Sequence, residues 1–281
     1  MISPAPAKIN LCLFVGGTRA VDGRHEVVSI MQSVDLCDDV EVTAANADTI
    51  DCEGVTGPNI VDAALAAFRE ASGLSEPVAI RIRKRIPVAA GMAGGSADAG
   101  AVLRLLNALA GQPLDDGVLH RIAAGLGADV PAQLLPGRAL ALGAGEIVEQ
   151  LPTPAPFGVV VLPHDEPLST ADVFAEFDRL GLARSEEDLE HHLGAVRGRA
   201  RNLPDDLVIN DLQPAAVSLC PAVDANLSRM RDAGAELALV SGSGPTVLGL
   251  CRDPGDAADV AARLGQVATV ARPWTRGAVI E

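Results

Sequence analysis

A Gly-rich segment, one carboxylate and one lysine carry the chemistry legible in this sequence. Pro87, Gly91, Gly94 and Gly95, followed by Ser96, lie between a run of strand character and a run of helix character. Small residues let a backbone approach a ligand closely and reach positive φ. The helix that follows offers unpaired N–H groups and a partial positive charge at its start, a combination suited to phosphate. No Gly-Lys-Ser/Thr follows, so the segment is not a Walker A loop, and the absence of GxGxxG disfavours a Rossmann fold. On spacing alone, an ordinary strand–helix turn is the competing reading.

Asp129 follows a helix stop (LGAD) and precedes Val130-Pro131. A carboxylate held between two rigid flanks could accept a proton from a substrate hydroxyl; it could equally be a turn or capping Asp. Lys8 interrupts an apolar strand in a chain whose only other lysine is Lys84. Beside a pocket it could steady a carboxylate base or a phosphoryl group; at a sheet edge it could simply snorkel. His25 sits in a DGRHE turn, where a solvated histidine is the plain alternative. Ser241, Gly242, Ser243 and Gly244, ahead of Pro245, form a second small-residue loop, either a close-approach site or a hairpin. His191 and His192 lack metal-ligand spacing, and no metal site is assigned.

These residues need elements to hold them. Residues 5–15 read as a strand, 19–26 as a turn around Asp22-Gly23, and 40–42 as a further strand. Asn59 opens an alanine-rich helix with Val61, Ala64, Leu65 and Phe68 at helical spacing. Residues 78–86 alternate as a half-buried strand that Pro87 ends. Val102, Leu105, Leu106 and Leu109 mark a helix after the Gly-rich segment, and a second helix is predicted from about 115 to 126. Three prolines within 151–156 mark a connector. Beyond it come a buried strand at 157–162, a helix from Ser169 to about Leu180, a charged stretch at 183–206 read as a mobile excursion, and strands at 237–240 and 246–251. Alternating strands and helices in both halves give an α/β or α+β fold.

Bulk properties narrow the function. The 281 residues fit one large or two medium domains. Aromatics are 2% of the chain, so the core must be built from Ala, Val, Leu and Ile. A net charge of −15 opposes binding to nucleic acid or to anionic membranes, so neither is expected as a partner. Five cysteines, an odd number without CxxC spacing, argue against a disulfide framework and a structural zinc site. Lys8 stands where a signal peptide's apolar run would begin, and no stretch approaches the ~20 apolar residues of a membrane helix. A cytoplasmic protein is expected.

Four segments in order, APAKINLCLFV at 5–15, PVAAGMAGGSADAG at 87–100, LGADVP at 126–131 and SGSGPTVLGL at 241–250, resemble the GHMP kinase superfamily. PAKINL, the DGxHE turn, GADVP and LSTADVF at 168–174 resemble the branch that phosphorylates the 2-hydroxyl of 4-diphosphocytidyl-2-C-methyl-D-erythritol in the non-mevalonate isoprenoid pathway. The likeness runs from about residue 3 to residue 251. It implies a two-domain α+β fold: an N-terminal nucleotide-binding domain, like ribosomal protein S5 domain 2, over 1–152, and a ferredoxin-like C-terminal domain over 153–281. The active site would lie between them, in a monomer or homodimer.

The same resemblance implies residue roles. Asp129 would be the base and Lys8 its neighbour. Pro87, Val88, Ala89, Ala90, Gly91, Met92, Ala93, Gly94, Gly95, Ser96 and Ala97 would cradle the phosphates of ATP, with Asn59 near the adenine. Asn10, Arg24, His25, Thr170 and Phe174 would hold the substrate, Phe174 by stacking, and Ser241 to Gly244 would close the site. Mg2+ would arrive with ATP, with no all-protein cage of its own. The chain departs from the family pattern at Arg24 (usually Tyr), Ala93 (Gly), Ala97 (Ser) and Ala144 (Arg). Ala93 would crowd the phosphate if its position needs positive φ. A kinase for another small alcohol and a catalytically silent binder are the alternatives.

Overall fold

The computed structural model describes residues 1–55, 57, 59–87, 91–164, 166–265, 267–275 and 280. Val88, Ala89 and Ala90 of the expected phosphate cradle lie outside the described residues.

Two long strands, β1 (Ile2–Thr18) and β2 (His25–Ala44), form an antiparallel hairpin whose turn contains Asp22-Gly23. Gly23 takes φ +71°, and the Asp22 carboxylate accepts from the Arg24 N–H at 3.2 Å. With β3 (Thr49–Cys52), β4 (Val78–Arg83), β5 (Arg138–Leu142) and β6 (Ile147–Gln150) the hairpin makes a six-stranded sheet, order β3-β4-β2-β5-β6 with β1 paired to β2. Helix α1 (Ile60–Ser72) begins at a capping box between Asn59 and Asp62 and buries Val61, Ala64, Leu65 and Phe68. Helix α2 (Gly94–Leu109) lies across the sheet with Val102, Leu105 and Leu106 inward. Helices α3 (Asp116–Leu126) and α4 (Val130–Leu134) complete this layer.

The second sheet comprises β7 (Gly158–Leu162), β8 (Leu237–Val240), β9 (Val247–Cys251) and β10 (Thr269–Ala271), in the order β10-β7-β9-β8. Helices α5 (Thr170–Leu180), α6 (Glu186–Gly198), α7 (Gln213–Leu219) and α8 (Ala222–Asp232) lie between β7 and β8, and α9 (Pro254–Leu264) between β9 and β10. Strand–helix–strand–strand–helix–strand is the order of a ferredoxin-like sandwich. Val159, Val161, Leu239 and Leu248 of this sheet share one core cluster with Ile9, Phe14 and Leu106 of the first half. No described helix is long and apolar enough to cross a membrane.

Two expectations need correction. Residues 183–206 contain a regular helix, α6, capped by Ser185 and packed on β1 through Leu189 and Val196. Leu189, Leu193 and Val196 follow helical spacing among charges, and Glu186, Glu187 and Asp188 occupy the first turn, where the helix dipole favours acids. The segment's end is pinned because the buried Arg138 donates to the carbonyls of Ala200 and Arg201. Strand β4 stops at Arg83 rather than at Pro87. There the Asp38 carboxylate takes the backbone N–H groups of Arg85 and Ile86, replacing the ladder.

Candidate active site

A cavity of about 460 Å³ lies between the two halves. Strand β1 supplies Lys8 and Asn10 to it; their alternate positions face the cavity while Ile9 faces the core. Register shifts on either side of this pair aim it away from the regular pleat. Lys8 is only 5% exposed. Its ammonium donates to Asn10 Oδ1 at 2.7 Å and lies 3.3 Å from Asp129 Oδ1. Asn10 donates onward to Ser29 Oγ at 2.7 Å, and Ser29 Oγ to the Cys12 carbonyl at 2.6 Å. That chain fixes the amide orientation and so the direction of the ammonium. Asp129 stands at the start of α4, yet its side chain makes no capping bond. Its carboxylate faces Lys8 and the cavity, which removes capping as the reason for it.

The Gly-rich segment forms the cavity's second wall. Pro87, Gly91, Met92, Ala93, Gly94 and Gly95 line it, as does Asn59. The Met92 carbonyl accepts from the Lys8 N–H at 3.1 Å, tying the segment to β1. Gly91 has φ +69°, and an added Cβ would collide with the Ser241 carbonyl oxygen. Ala93, at the N-cap of α2, takes φ +54°, a left-handed conformation that costs an alanine roughly 1–2 kcal/mol. Ser96 and Ala97 lie within the first turn of α2 and do not line the cavity, and Ala97 is fully buried.

The second half closes the site. Thr170, Phe174, Gly242 and Ser243 line the cavity, and Thr170 Oγ1 and Ser243 Oγ are 2.9 Å apart. Ser241 Oγ donates to the Gly91 carbonyl at 3.0 Å, so the two small-residue loops are joined. Ser241 and Gly244 support the loop from behind rather than line the cavity. His25 also stands behind: its ring stacks on Phe174 at 4.9 Å, and Nε2 lies 2.8 Å from Asp178 Oδ1. Arg24 bonds the Asp22 carboxylate at 2.8 Å and does not line the cavity. Ala144, where the family pattern carries Arg, does line it.

Sequence reasoning missed three further residues. Lys84 and Asp98 line the cavity beside Gly94, and Lys84 bonds both Asp38 and, at 2.6 Å, Asp98. These side chains are 11%, 0% and 2% exposed. Burial pushes the Asp98 carboxyl up to about 7, with Lys84 opposing the rise. Burial pulls the Lys84 ammonium down, but the two carboxylates outweigh it and the net direction is up. The signal was present in the sequence: the apolar alternation of Val78, Ile80, Ile82 and Ile86 is broken at position 84 by a lysine. The third residue, buried Asn210, donates to the carbonyls of Val240 and Gly242 at 2.8 and 2.7 Å.

Models of the GHMP kinase N-terminal and C-terminal domains match residues 59–137 and 187–269. The class that fold and site define is thus that of the GHMP kinases. A 4-diphosphocytidyl-2-C-methyl-D-erythritol kinase of Mycolicibacterium gilvum is 44% identical over 275 residues, 91% of this chain and 83% of that one. A crystal structure of 4-(cytidine 5'-diphospho)-2C-methyl-D-erythritol kinase superposes with a TM-score of 0.79 at 33% identity, covering 97% of this chain and 98% of the other. An L. major mevalonate kinase shares the fold at 14% identity, with a TM-score of 0.72 and coverage of 99% and 97%. Within that class, the chain belongs to the family of 4-diphosphocytidyl-2-C-methyl-D-erythritol kinases.

Proposed function

We propose that the chain transfers the γ-phosphoryl group of ATP to the 2-hydroxyl of 4-diphosphocytidyl-2-C-methyl-D-erythritol, with Asp129 and Lys8 at the reacting centre. The observation that carries this is the 3.3 Å pair of Asp129 and Lys8, which lines one cavity with the Gly-rich segment on one side and Phe174 on the other. Asp129 accepts the proton of the 2-hydroxyl as its oxygen attacks the γ-phosphorus. The bond from that phosphorus to the β–γ bridging oxygen breaks, and ADP leaves. Lys8 orients the carboxylate and offsets charge on the reacting oxygens. The Gly91–Gly95 backbone and the start of α2 hold the phosphates. Positioning supplies most of the acceleration in such transfers.

Asn59 lies toward the adenine, Asn10 and Thr170 hydrogen-bond the substrate, and Phe174 stacks on its cytosine. His25 acts through Phe174, and Arg24 is held by Asp22. The nucleotide half ends at residue 152, and 153–281 form the other half; the segregation of β1–β6 from β7–β10 supports that division. Asp38 and Asp98 bring two carboxylates against the single ammonium of Lys84, and Asp98 Oδ1 is buried without a partner among the described residues. Beside the phosphate cradle, that shortfall of positive charge and the open carboxylate of Asp129 fit a Mg2+ ion brought by ATP. Bound there, the ion would neutralise charge on the β- and γ-phosphates.

The test is ADP release with Mg-ATP and each of three alcohols: 4-diphosphocytidyl-2-C-methyl-D-erythritol, homoserine and mevalonate. Turnover with the first alone is expected. Turnover with another alcohol instead, or binding without turnover, would replace the assignment with one of the two alternatives.

A further inference from the structure

Away from this cavity, the connection from β7 to α5 brings a histidine and a glutamate to a buried thiol. His164, Glu166 and Cys220 place an imidazole nitrogen, a carboxylate oxygen and a sulfur all within 4.8 Å of one another. Cys220 ends α7 and is 7% exposed, His164 is half-buried and Glu166 is exposed. None of the three side chains has a hydrogen-bond or ion-pair partner among the described residues. A thiol, an imidazole and a carboxylate that converge without satisfying one another leave three donors free for a ligand.

We propose that His164, Glu166 and Cys220 form a zinc site, distinct from the phosphate-transfer centre. Nitrogen and sulfur donors suit a borderline-soft cation and not Mg2+. Three protein ligands leave a fourth tetrahedral position for water. Ligand bonds of about 2.0 Å to nitrogen and 2.3 Å to sulfur separate those donors by roughly 3.5 Å, so side chains already within 4.8 Å need draw together by at most about 1.3 Å. Binding converts the thiol to a thiolate: the S–H bond breaks, an S–Zn bond forms, and the proton passes to solvent. The ion would tie together two supports of the 241–244 loop. Leu168, just past Glu166, and Ala216 of α7 both neighbour Gly244, and Thr170 bonds Ser243.

The experiment titrates the metal-free full chain with Co2+, without nucleotide. A one-to-one complex with a thiolate-to-cobalt charge-transfer band is expected, displaced by Zn2+. The band is lost in Cys220→Ser, weakened at least tenfold in His164→Ala and retained in Cys52→Ser. Zn2+ raises the Tm of the wild type and not of Cys220→Ser. Absence of the band at tenfold excess Co2+, or a band of unchanged affinity in His164→Ala, overturns the site. His164 lies on a surface connection, so that second outcome stands even where Cys220→Ser fails to fold.

Discussion

Replacing Lys84 by methionine should cost more stability than any surface charge in this chain. Its ammonium is the shared partner of Asp38 and Asp98, in side chains 11%, 0% and 2% exposed. Methionine keeps the length and removes the charge, leaving two buried carboxylates facing each other. Loss of one partner from a buried ion pair typically costs about 3–5 kcal/mol. At ~2–4 °C per kcal/mol for a chain approaching this size, Tm should fall by roughly 10 °C at pH 8. The pH dependence carries a sign. The folded Asp98 carboxyl lies near 7, above its unfolded value, so its contribution to stability is fully present below the unfolded pKa and is lost as pH rises through about 7. In Lys84→Met both carboxylates lose their cation, so the deficit is largest at pH 8 and shrinks towards pH 5.5. Asp98→Asn in the same background should recover part of it, since the amide carries no charge. Scanning calorimetry of the wild type, Lys84→Met and Lys84→Met/Asp98→Asn at both pH values measures all of this. A Tm loss under about 2 °C, or a deficit that grows as pH falls, would refute the reasoning.

Two further outcomes follow from the cavity walls. Phe174→Ala removes the ring that faces the cavity and stacks on His25, so KM for the cytidine substrate should rise tenfold or more, in line with ~1–3 kcal/mol per stacked base, while KM for ATP stays within twofold; steady-state kinetics separates the two. Asn210→Ala leaves the carbonyls of Val240 and Gly242 without their donor, which should lower kcat and destabilise the fold by about 2 kcal/mol; Asn210→Asp, which cannot donate to both carbonyls, should not rescue it.

The sequence showed the chemistry-bearing loops more clearly than it showed what supports them. The pattern around Gly91–Ser96 and the alternation at 78–86 place a strand, a cradle and a helix, and the structure holds them in that order. The helix at 186–198 was hidden because its buried positions are only Leu189 and Val196, set among charges whose exposure is what a solvated helix face requires. Lys84 was legible as a charge interrupting the apolar alternation just past β4, but its partners come from residues 38 and 98, and such long-range pairing leaves no local mark. Asn210 gave no local signal at all: its work is to hold carbonyls about 30 residues away. His25 and Arg24 sit in the turn that the Asp22-Gly23 punctuation marks, yet only the packing shows His25 behind Phe174 and Arg24 turned to Asp22.

The most direct test of the central claim is ADP release by Asp129→Asn with Mg-ATP and 4-diphosphocytidyl-2-C-methyl-D-erythritol, beside calorimetric binding of both substrates. The amide keeps the shape of the carboxylate and cannot take the proton. A fall in kcat of at least a hundredfold, with both substrates still bound, is expected. Turnover within tenfold of the wild type would contradict Asp129 as the group that accepts the proton.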